Sequence, residues 1–108
     1  MSAVQTLIKL PPRARKGEVL EISALIRHPM ESGFRVGEDG RRVPRNILLR
    51  FRCEYDGEQV FAAEFTPAIA ANPLIVFCTL ATQSGSLRFT WEGDQGFAHS
   101  ASVPLLVE

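Results

Sequence analysis

The stretch NILLRFRCEYDGEQVF, residues 46–61, carries the pattern from which the fold can be predicted. Between residues 46 and 55 apolar side chains alternate with charged ones, as in a β-strand with one face in the core. The apolar face comprises Ile47, Leu49, Phe51, Cys53 and Tyr55. Asp56 and Gly57 follow, and both tolerate the left-handed backbone of a tight hairpin turn. Because residues 58–66 are again strand-like, the stretch predicts a β-hairpin.

Strand-like segments recur along the whole chain, with turn residues between them. The predicted strands cover residues 4–10, 18–28, 46–55, 58–66, 74–82, 87–92 and 97–107. This spacing predicts an all-β fold, an immunoglobulin-like antiparallel β-sandwich of about seven strands, with a small closed barrel as the alternative. Within residues 18–28, alternation places His28 on the inward face. Residues 74–82 are almost continuously apolar, so we expect a central strand that is covered on both faces.

Length and charge limit the classes of function. A chain of 108 residues has no room for a second core, so residues 1–108 are expected to form one domain. No apolar run approaches 18 residues and the N-terminus does not resemble a signal peptide, so we expect no membrane span and, on this ground alone, a cytoplasmic protein. Residues 1–52 hold 11 Lys/Arg and 5 Asp/Glu, whereas the remainder holds 1 and 7. Since the net charge is zero and Phe34 alone accompanies the arginine cluster, nucleic acid is not an expected partner.

One long irregular segment, PMESGFRVGEDGRRVPR at residues 29–45, interrupts the strand pattern. Long loops inside small domains are usually functional or mobile, so this segment is a candidate partner-docking surface. The candidate docking residues are Met30, Phe34, Arg35, Arg41, Arg42 and Arg45. The alternative is a well-packed corner, in which Pro29 ends the strand, Gly33 turns the chain and His28 bonds the loop backbone.

The residues that could carry chemistry are few and scattered. His28, His99, Cys53 and Cys78 lack the close spacing of most metal sites, so no metal and no cofactor is expected. Both cysteines fall in apolar strand sequence, where thiols are usually unreactive packing residues. A disulfide between the two cysteines is conceivable if their strands face each other. Phosphate-binding glycine motifs are absent from the sequence, and we therefore expect no enzyme activity.

Four segments together resemble one protein family. They are KGEVLEISALIRHPMESGFR (16–35), VPRNILLRFRCEYDGEQVF (43–61), AEFTPAIAANP (63–73) and TQSGSLRFTWEGDQG (82–96). Together they are similar to the SoxZ family, the small subunit of the SoxYZ sulfur carrier in bacterial thiosulfate oxidation. The resemblance extends over nearly the whole chain, from about residue 4 to residue 108, and implies the same immunoglobulin-like fold.

The resemblance also implies a role without catalysis. A SoxY-type subunit would form a heterodimer with this chain and carry the sulfur intermediate on a cysteine of its C-terminal glycine-rich arm. This chain ends in ASVPLLVE and has no such cysteine. It would pair with SoxY, help to dock pathway enzymes transiently, and reach the periplasm by co-export with its signal-bearing partner. Alone, it is expected to be able to form homo-oligomers.

A second hypothesis belongs to a different class. In it the chain is a small redox or metal-binding β-sandwich protein that uses Cys53, Cys78 or His28.

Overall fold

The fold, as the computed structural model describes it for residues 4–108, consists of two β-sheets that share one hydrophobic core. The elements are β1 (Thr6–Lys9), β2 (Arg13–Ala14), β3 (Val19–Ile26), β4 (Leu48–Tyr55), β5 (Glu58–Glu64), β6 (Leu74–Leu80), β7 (Gly85–Gly93), the 3-10 turn η1 (Asp94–Gly96) and β8 (Ala98–Val107). All seven predicted strands are present, and β2 is a short addition. Strands β1, β3 and β6 form one sheet, and β2, β8, β7, β4 and β5 form the other. All pairs are antiparallel except β2 with β8, which confirms the predicted sandwich.

The predicted alternation in β3 and β7 is confirmed by the buried side chains. The inward residues of β3 and β7 are fully buried: Leu20, Ile22, Ala24, Ile26, Leu87, Phe89 and Trp91. His28 continues the inward face of β3 and is 4% exposed. A strand places successive side chains on opposite faces, so both sheets present one apolar face to the shared core.

The hairpin between β4 and β5 forms where the sequence predicts it. Asp56 and Gly57 have φ values of 48° and 85°, in the left-handed region that the turn requires. The Asp56 carboxylate accepts hydrogen bonds from the backbone N–H of Ser86 at 2.9 Å and from the Gln83 amide at 2.8 Å. Both bonds lower the pKa of Asp56 because they stabilise its charged form, and the bond from Ser86 has the larger effect. The turn residue therefore also attaches the hairpin to the start of β7.

The start of β4 departs from the predicted alternation. Ile47 and Leu48 are both buried, at 1% and 0% exposure, whereas Leu49 is only half-buried. The cause is a β-bulge between Leu48 and Arg50 in the pairing with β7, which shifts the pleat by one residue. Leu49 packs against the core but is only partly buried. The alternating pattern does not predict the burial of Leu48, because a local bulge leaves no mark in the sequence.

Strand β6 is not the central, doubly covered strand that its apolar run predicted. It lies at the edge of the three-stranded sheet, and Leu74, Val76 and Leu80 are 58%, 53% and 54% exposed on its outer face. A run of apolar residues gives a strand apolar side chains on both faces, but it does not supply a layer to cover each of them. In residues 4–108 no helix has the length and apolar character needed to cross a membrane.

Gly93 makes the bulge at β4 possible, and its replacement by alanine should destabilise the fold. A Cβ at this position would lie 2.7 Å from the carbonyl oxygen of Ile47, which is backbone and cannot rotate away. We expect Gly93→Ala to lower the free energy of unfolding by about 1–3 kcal/mol, as overpacking in a tight site does. Urea unfolding at pH 7 measures the change.

Gly37→Ala is the matched control, because neither glycine has a positive φ. At Gly37 the nearest atom to a new Cβ is a side-chain oxygen of Asp39, at 3.3 Å, which can move. This control should unfold within about 0.5 kcal/mol of the wild-type protein, as surface substitutions usually do. Equal unfolding midpoints for Gly93→Ala and the wild-type protein would contradict the steric role of Gly93.

Candidate docking surfaces

The segment between β3 and β4, residues 29–46, forms an irregular two-armed loop at one end of the sandwich. Glu31 and Asn46 pair as an isolated antiparallel bridge, with N–H to carbonyl distances of 2.8 Å in both directions. Further along, Val43 N–H donates to the Arg35 carbonyl at 2.8 Å. At Gly33, where φ is 90°, a Cβ would lie 3.0 Å from the Arg45 Cβ, so glycine lets the two arms approach closely. The loop is thus an ordered projection.

His28 fixes the corner at which this loop begins. Its side-chain Nδ1 accepts a hydrogen bond from the backbone N–H of Met30 at 3.0 Å, and its backbone N–H donates to the side-chain oxygen of Asn72 at 2.9 Å. An Nδ1 that accepts leaves the proton of the neutral ring on Nε2. Burial lowers the pKa of His28, and the nearby charge of Asp94 opposes this effect only in part. The predicted inward histidine that bonds loop backbone is therefore confirmed.

Met30 lies in the core, although it was among the candidate docking residues. Its side chain is 7% exposed, and its Sδ accepts a hydrogen bond from the Leu48 N–H at 3.3 Å. The backbone of Met30 has a φ of 49°, which turns the chain sharply after Pro29 and directs the side chain inward. Met30 is thus not on the surface of the loop, and sequence alternation beyond the end of a strand could not show this.

The other five candidates are exposed on the loop. Phe34 is 72% exposed and its neighbour Val36 is 60% exposed, so the tip presents two large apolar side chains to solvent. Arg35 pairs with Glu31 at 2.6 Å, and this bond lowers the pKa of Glu31. The remaining arginines of the tip, Arg41 and Arg42, form no ion pair within residues 4–108. Whether these residues contact a partner stays a prediction.

Arg45 ties the base of the loop to η1. Its guanidinium makes two hydrogen bonds to the Asp94 carboxylate, at 2.8 and 2.9 Å, and Asp94 also accepts the Ile47 N–H at 3.1 Å. These bonds lower the pKa of Asp94, and the bonds from Arg45 have a larger effect than the bond from Ile47. A bidentate pair restricts both side chains, so Arg45 holds the loop in place and is less free than Arg41 and Arg42 to meet a partner.

A second exposed surface was missed by the sequence analysis. The outward side chains of β1, β3 and β6 form what we term the apolar sheet face: Leu7, Val19, Leu25, Leu74, Val76 and Leu80. All except the half-buried Leu25 are more than half exposed. The apolar run at residues 74–82 is the signal for this face in the sequence, but such a run equally predicts burial within the chain.

The thiols and imidazoles do not assemble into a reactive site. Cys53 is fully buried in β4, and burial, with a smaller effect of Glu54, raises its pKa to about 12. Cys78 is exposed on the outer side of β6, so its predicted burial was wrong. Both thiols are free, and the disulfide considered from the sequence does not form. Within residues 4–108 no group of three or more His, Cys, Asp or Glu side chains is placed to hold a metal ion.

Replacing His28 with asparagine should change how stability depends on pH. The pKa of His28 in the folded protein lies below 6.5, so the unfolded chain binds more protons once the pH falls below that value. The wild-type free energy of unfolding should therefore fall below pH 6.5 and level off below the folded pKa. His28→Asn should not show this fall in stability below pH 6.5. It should also be less stable than the wild-type protein by about 1–2 kcal/mol at pH 7, since packing is lost. Thermal unfolding across the pH series measures both effects.

His99→Asn removes the other imidazole of the chain and is the control. The carboxyl groups with lowered pKa values, such as Asp94, lose their contribution only at lower pH, below 3.8 for aspartate. The pH range in which these carboxyl groups affect stability is therefore separate from the range in which His28 does. A His28→Asn protein whose stability keeps the wild-type slope below pH 6.5 would refute the assignment.

Solved structures with the same fold come from different functional classes. The superoxide reductase (neelaredoxin) from Ignicoccus hospitalis has a TM-score of 0.75 at 15% identity, covering 95% of this chain and 80% of that one. The sulfur carrier protein SoxY from Chlorobium limicola f thiosulfatophilum has a TM-score of 0.67 at 14% identity, covering 100% and 81%. At such identities the likeness shows the fold alone, here the immunoglobulin-like sandwich.

Sequence comparison is more specific than the structural likeness. No curated protein matches the chain. The model of the family "Sulphur oxidation protein SoxZ", however, matches residues 8–104. This match includes β2 to β7, the second half of β1, most of β8, the 29–46 loop and the apolar sheet face except Leu7. Because it spans nearly the whole sequence, the chain belongs to the SoxZ family.

Proposed function

We propose that this chain is the non-catalytic subunit of a SoxYZ-type sulfur carrier in bacterial thiosulfate oxidation. In the proposal it pairs with a SoxY-type subunit, which carries the sulfur intermediate on a cysteine of its C-terminal arm, and it helps to dock the pathway enzymes. The observation that carries the proposal is the SoxZ family match over residues 8–104. That match supports a role in sulfur oxidation, and the heterodimer and docking functions are inferred from it.

The positions of the two thiols support a role without covalent chemistry. A carrier thiol that visits several enzymes needs a mobile segment, whereas Cys53 and Cys78 lie inside strands β4 and β6. Cys53 is also buried, and with a pKa of about 12 it remains protonated and a poor nucleophile near neutral pH. The sulfur intermediate is therefore better placed on the partner, and this chain contributes surfaces.

The tip of the 29–46 loop is suited to brief encounters with pathway enzymes. Phe34 supplies an exposed aromatic side chain, and Arg41 and Arg42 are exposed arginines that form no ion pair with an acidic side chain of residues 4–108. Transient interfaces are more polar than permanent ones, and an aromatic residue among arginines is a frequent composition at their centre. The proposed partners of this tip carry acidic surfaces.

The proposal places the working carrier in the periplasm, which the chain would reach together with its signal-bearing partner. Cell fractionation with and without the SoxY-type subunit addresses this point. A chain that reaches the periplasm in the absence of that subunit would contradict co-export.

Co-expression tests the heterodimer directly. This chain and the SoxY-type subunit of the same organism are produced together, purified through a tag on one of them, and separated by size-exclusion chromatography. A complex of one copy of each is expected. Separate elution of the two chains at micromolar concentration would overturn the proposal.

Reversing the charge of the loop tip should slow the encounter with pathway enzymes. The double variant Arg41→Glu/Arg42→Glu removes two positive charges that attract an acidic partner over a distance set by ionic strength. In reconstituted thiosulfate oxidation, we expect the carrier concentration that gives half-maximal rate to rise by roughly 5-fold to 20-fold at low salt. The difference should shrink at 0.5 M salt, where screening removes long-range attraction.

Arg15→Glu/Lys16→Glu is the matched control, because both residues are exposed at the opposite end of β3. It makes the same change in net charge and should leave the half-maximal concentration close to the wild-type value. Equal effects of the two double variants would show that net charge alone matters and that the loop is not a docking surface.

A further inference from the structure

His28 lies at the corner between the sandwich and the 29–46 loop, in surroundings that suit a neutral ring. Its Nδ1 accepts a hydrogen bond from the Met30 N–H at 3.0 Å, and its buried Nε2 has no hydrogen-bond partner within residues 4–108. The ring meets Phe97 edge to face, with centroids 5.2 Å apart and planes at 81°. These surroundings therefore use the acceptor nitrogen of the ring and offer no acceptor in return.

Protonation of the ring conflicts with these surroundings. An imidazolium has two N–H donors and no acceptor, so its Nδ1–H would face the Met30 N–H, donor against donor. The Nε2–H would still lack an acceptor, and a buried charge without hydrogen bonds is costly. The bond between His28 and Met30 therefore has to break when the ring takes up a proton.

The loop is the weaker side of this corner. On the sandwich side, two bonds fix the backbone of His28 to Asn72, one from the His28 N–H to the side-chain oxygen and one from the Asn72 N–H to the His28 carbonyl, both at 2.9 Å. On the loop side, Met30 has a φ of 49°, a left-handed conformation that residues other than glycine seldom adopt. The bond to Nδ1 helps to hold that conformation, so its loss favours rotation at Met30.

The charged groups around the ring are few. Asp94 of η1 favours the imidazolium, but burial has the larger effect and holds the pKa of His28 below 6.5. The other residues that line the cleft beside His28 are uncharged except Arg27, which is exposed: Val4, Gln5, Arg27, Pro29, Asn46 and Phe97. The ring therefore takes up a proton only in the acidic range, and Asp94 is the carboxylate towards which it can then turn.

Asp94 also connects the two ends of the loop base. Its carboxylate already accepts two bonds from Arg45, at 2.8 and 2.9 Å, and one from the Ile47 N–H at 3.1 Å. An imidazolium that turns towards Asp94 competes with Arg45 for the same oxygens. Protonation on the first arm of the loop therefore weakens the attachment of the second arm, to which the first is joined by the bridge between Glu31 and Asn46.

We propose that His28 is a pH-sensitive switch, which holds the base of the 29–46 loop when its ring is neutral and releases that base when the ring is protonated. Release makes an ordered loop mobile, and a mobile loop loses more conformational entropy when it binds a partner. The consequence for docking rests on the proposed function: pathway enzymes bind the loop less tightly as the surroundings become acidic.

Amide hydrogen exchange followed by NMR tests the switch in the lone chain. Protection of the Met30 amide, expressed relative to the intrinsic exchange rate at each pH, should fall at least about 10-fold between about pH 7.5 and about pH 5. The midpoint of that fall should coincide with the titration of the His28 ring, measured from its Cε1–H resonance. The amide of Phe89, which is fully buried in β7, should keep its protection because the sandwich stays folded.

Two variants distinguish the switch from a structural role of the histidine. His28→Asn keeps an oxygen acceptor close to the position of Nδ1 but does not titrate, so its Met30 protection should vary less than about 2-fold over the same pH range. Arg45→Gln removes a positive charge and frees Asp94, which favours the imidazolium. The His28 midpoint should therefore rise by about 0.5 pH unit or more, and the midpoint of Met30 protection should rise with it. If His28→Asn is poorly folded, this joint shift decides the question.

Three results of these measurements would overturn the switch. The first is Met30 protection that stays constant while His28 titrates, or that falls equally in His28→Asn. The second is a loss of Phe89 protection in the same range, because that result indicates global unfolding. The third is a His28 ring that stays neutral down to about pH 4.5.

A binding measurement separates the switch from the proposed function. The affinity of a pathway enzyme for the complex of this chain with the SoxY-type subunit is compared between wild type and His28→Asn at both pH values, so that the pH dependence of the enzyme itself cancels. The wild-type complex should lose at least about 5-fold more affinity on acidification than the variant complex. Equal losses, with the switch present by hydrogen exchange, would contradict the docking role of the loop and leave the switch in place.

Discussion

The packing of Phe51 against aromatic rings of both sheets is the contact on which the sandwich depends. Its ring centroid lies 5.2 Å from that of Trp91, 6.0 Å from that of Phe77 and 6.3 Å from that of Phe89. Phe77 belongs to the three-stranded sheet and the other two to the five-stranded sheet, so Phe51 joins the layers. Large aromatic side chains dominate core energetics because each buries much apolar area. Each strand must keep its apolar side towards this cluster, and this requirement fixes the pairing register of β4 and β7.

A sandwich of two sheets covers inner faces only, and this has consequences for function. The five-stranded sheet protects its outer face with ion pairs and hydroxyl bonds, whereas the three-stranded sheet leaves leucine and valine side chains in solvent. The same hydrophobic effect that closes the core therefore favours association at the second surface. In this chain the tip of the 29–46 loop combines exposed arginines with Phe34 and Val36, whereas the outer face of the three-stranded sheet is largely aliphatic.

The base of the 29–46 loop is held by hydrogen bonds at both ends. The bidentate bond between Arg45 and Asp94 and the hydrogen bond from Met30 to His28 hold the two ends of the loop against the sandwich. A docking surface that is ordered before binding loses less conformational entropy when a partner arrives. Both thiols of this chain, Cys53 and Cys78, lie within strands and are not on mobile segments.

The sequence by itself determined the fold class, the positions of the strands, the β4–β5 hairpin and the inward orientation of His28, because each follows from local alternation or from turn residues that tolerate unusual backbone. It also indicated the long irregular segment at residues 29–45 and the family resemblance. Only the tertiary structure decided that Met30 is buried, that a bulge at Leu48 shifts the start of β4, and that β6 is an edge strand with an exposed outer face. Burial depends on which layers lie above a strand, and the chain provides one covering layer for each sheet. That number is a property of the assembled sheets, so no local pattern in the sequence can encode it.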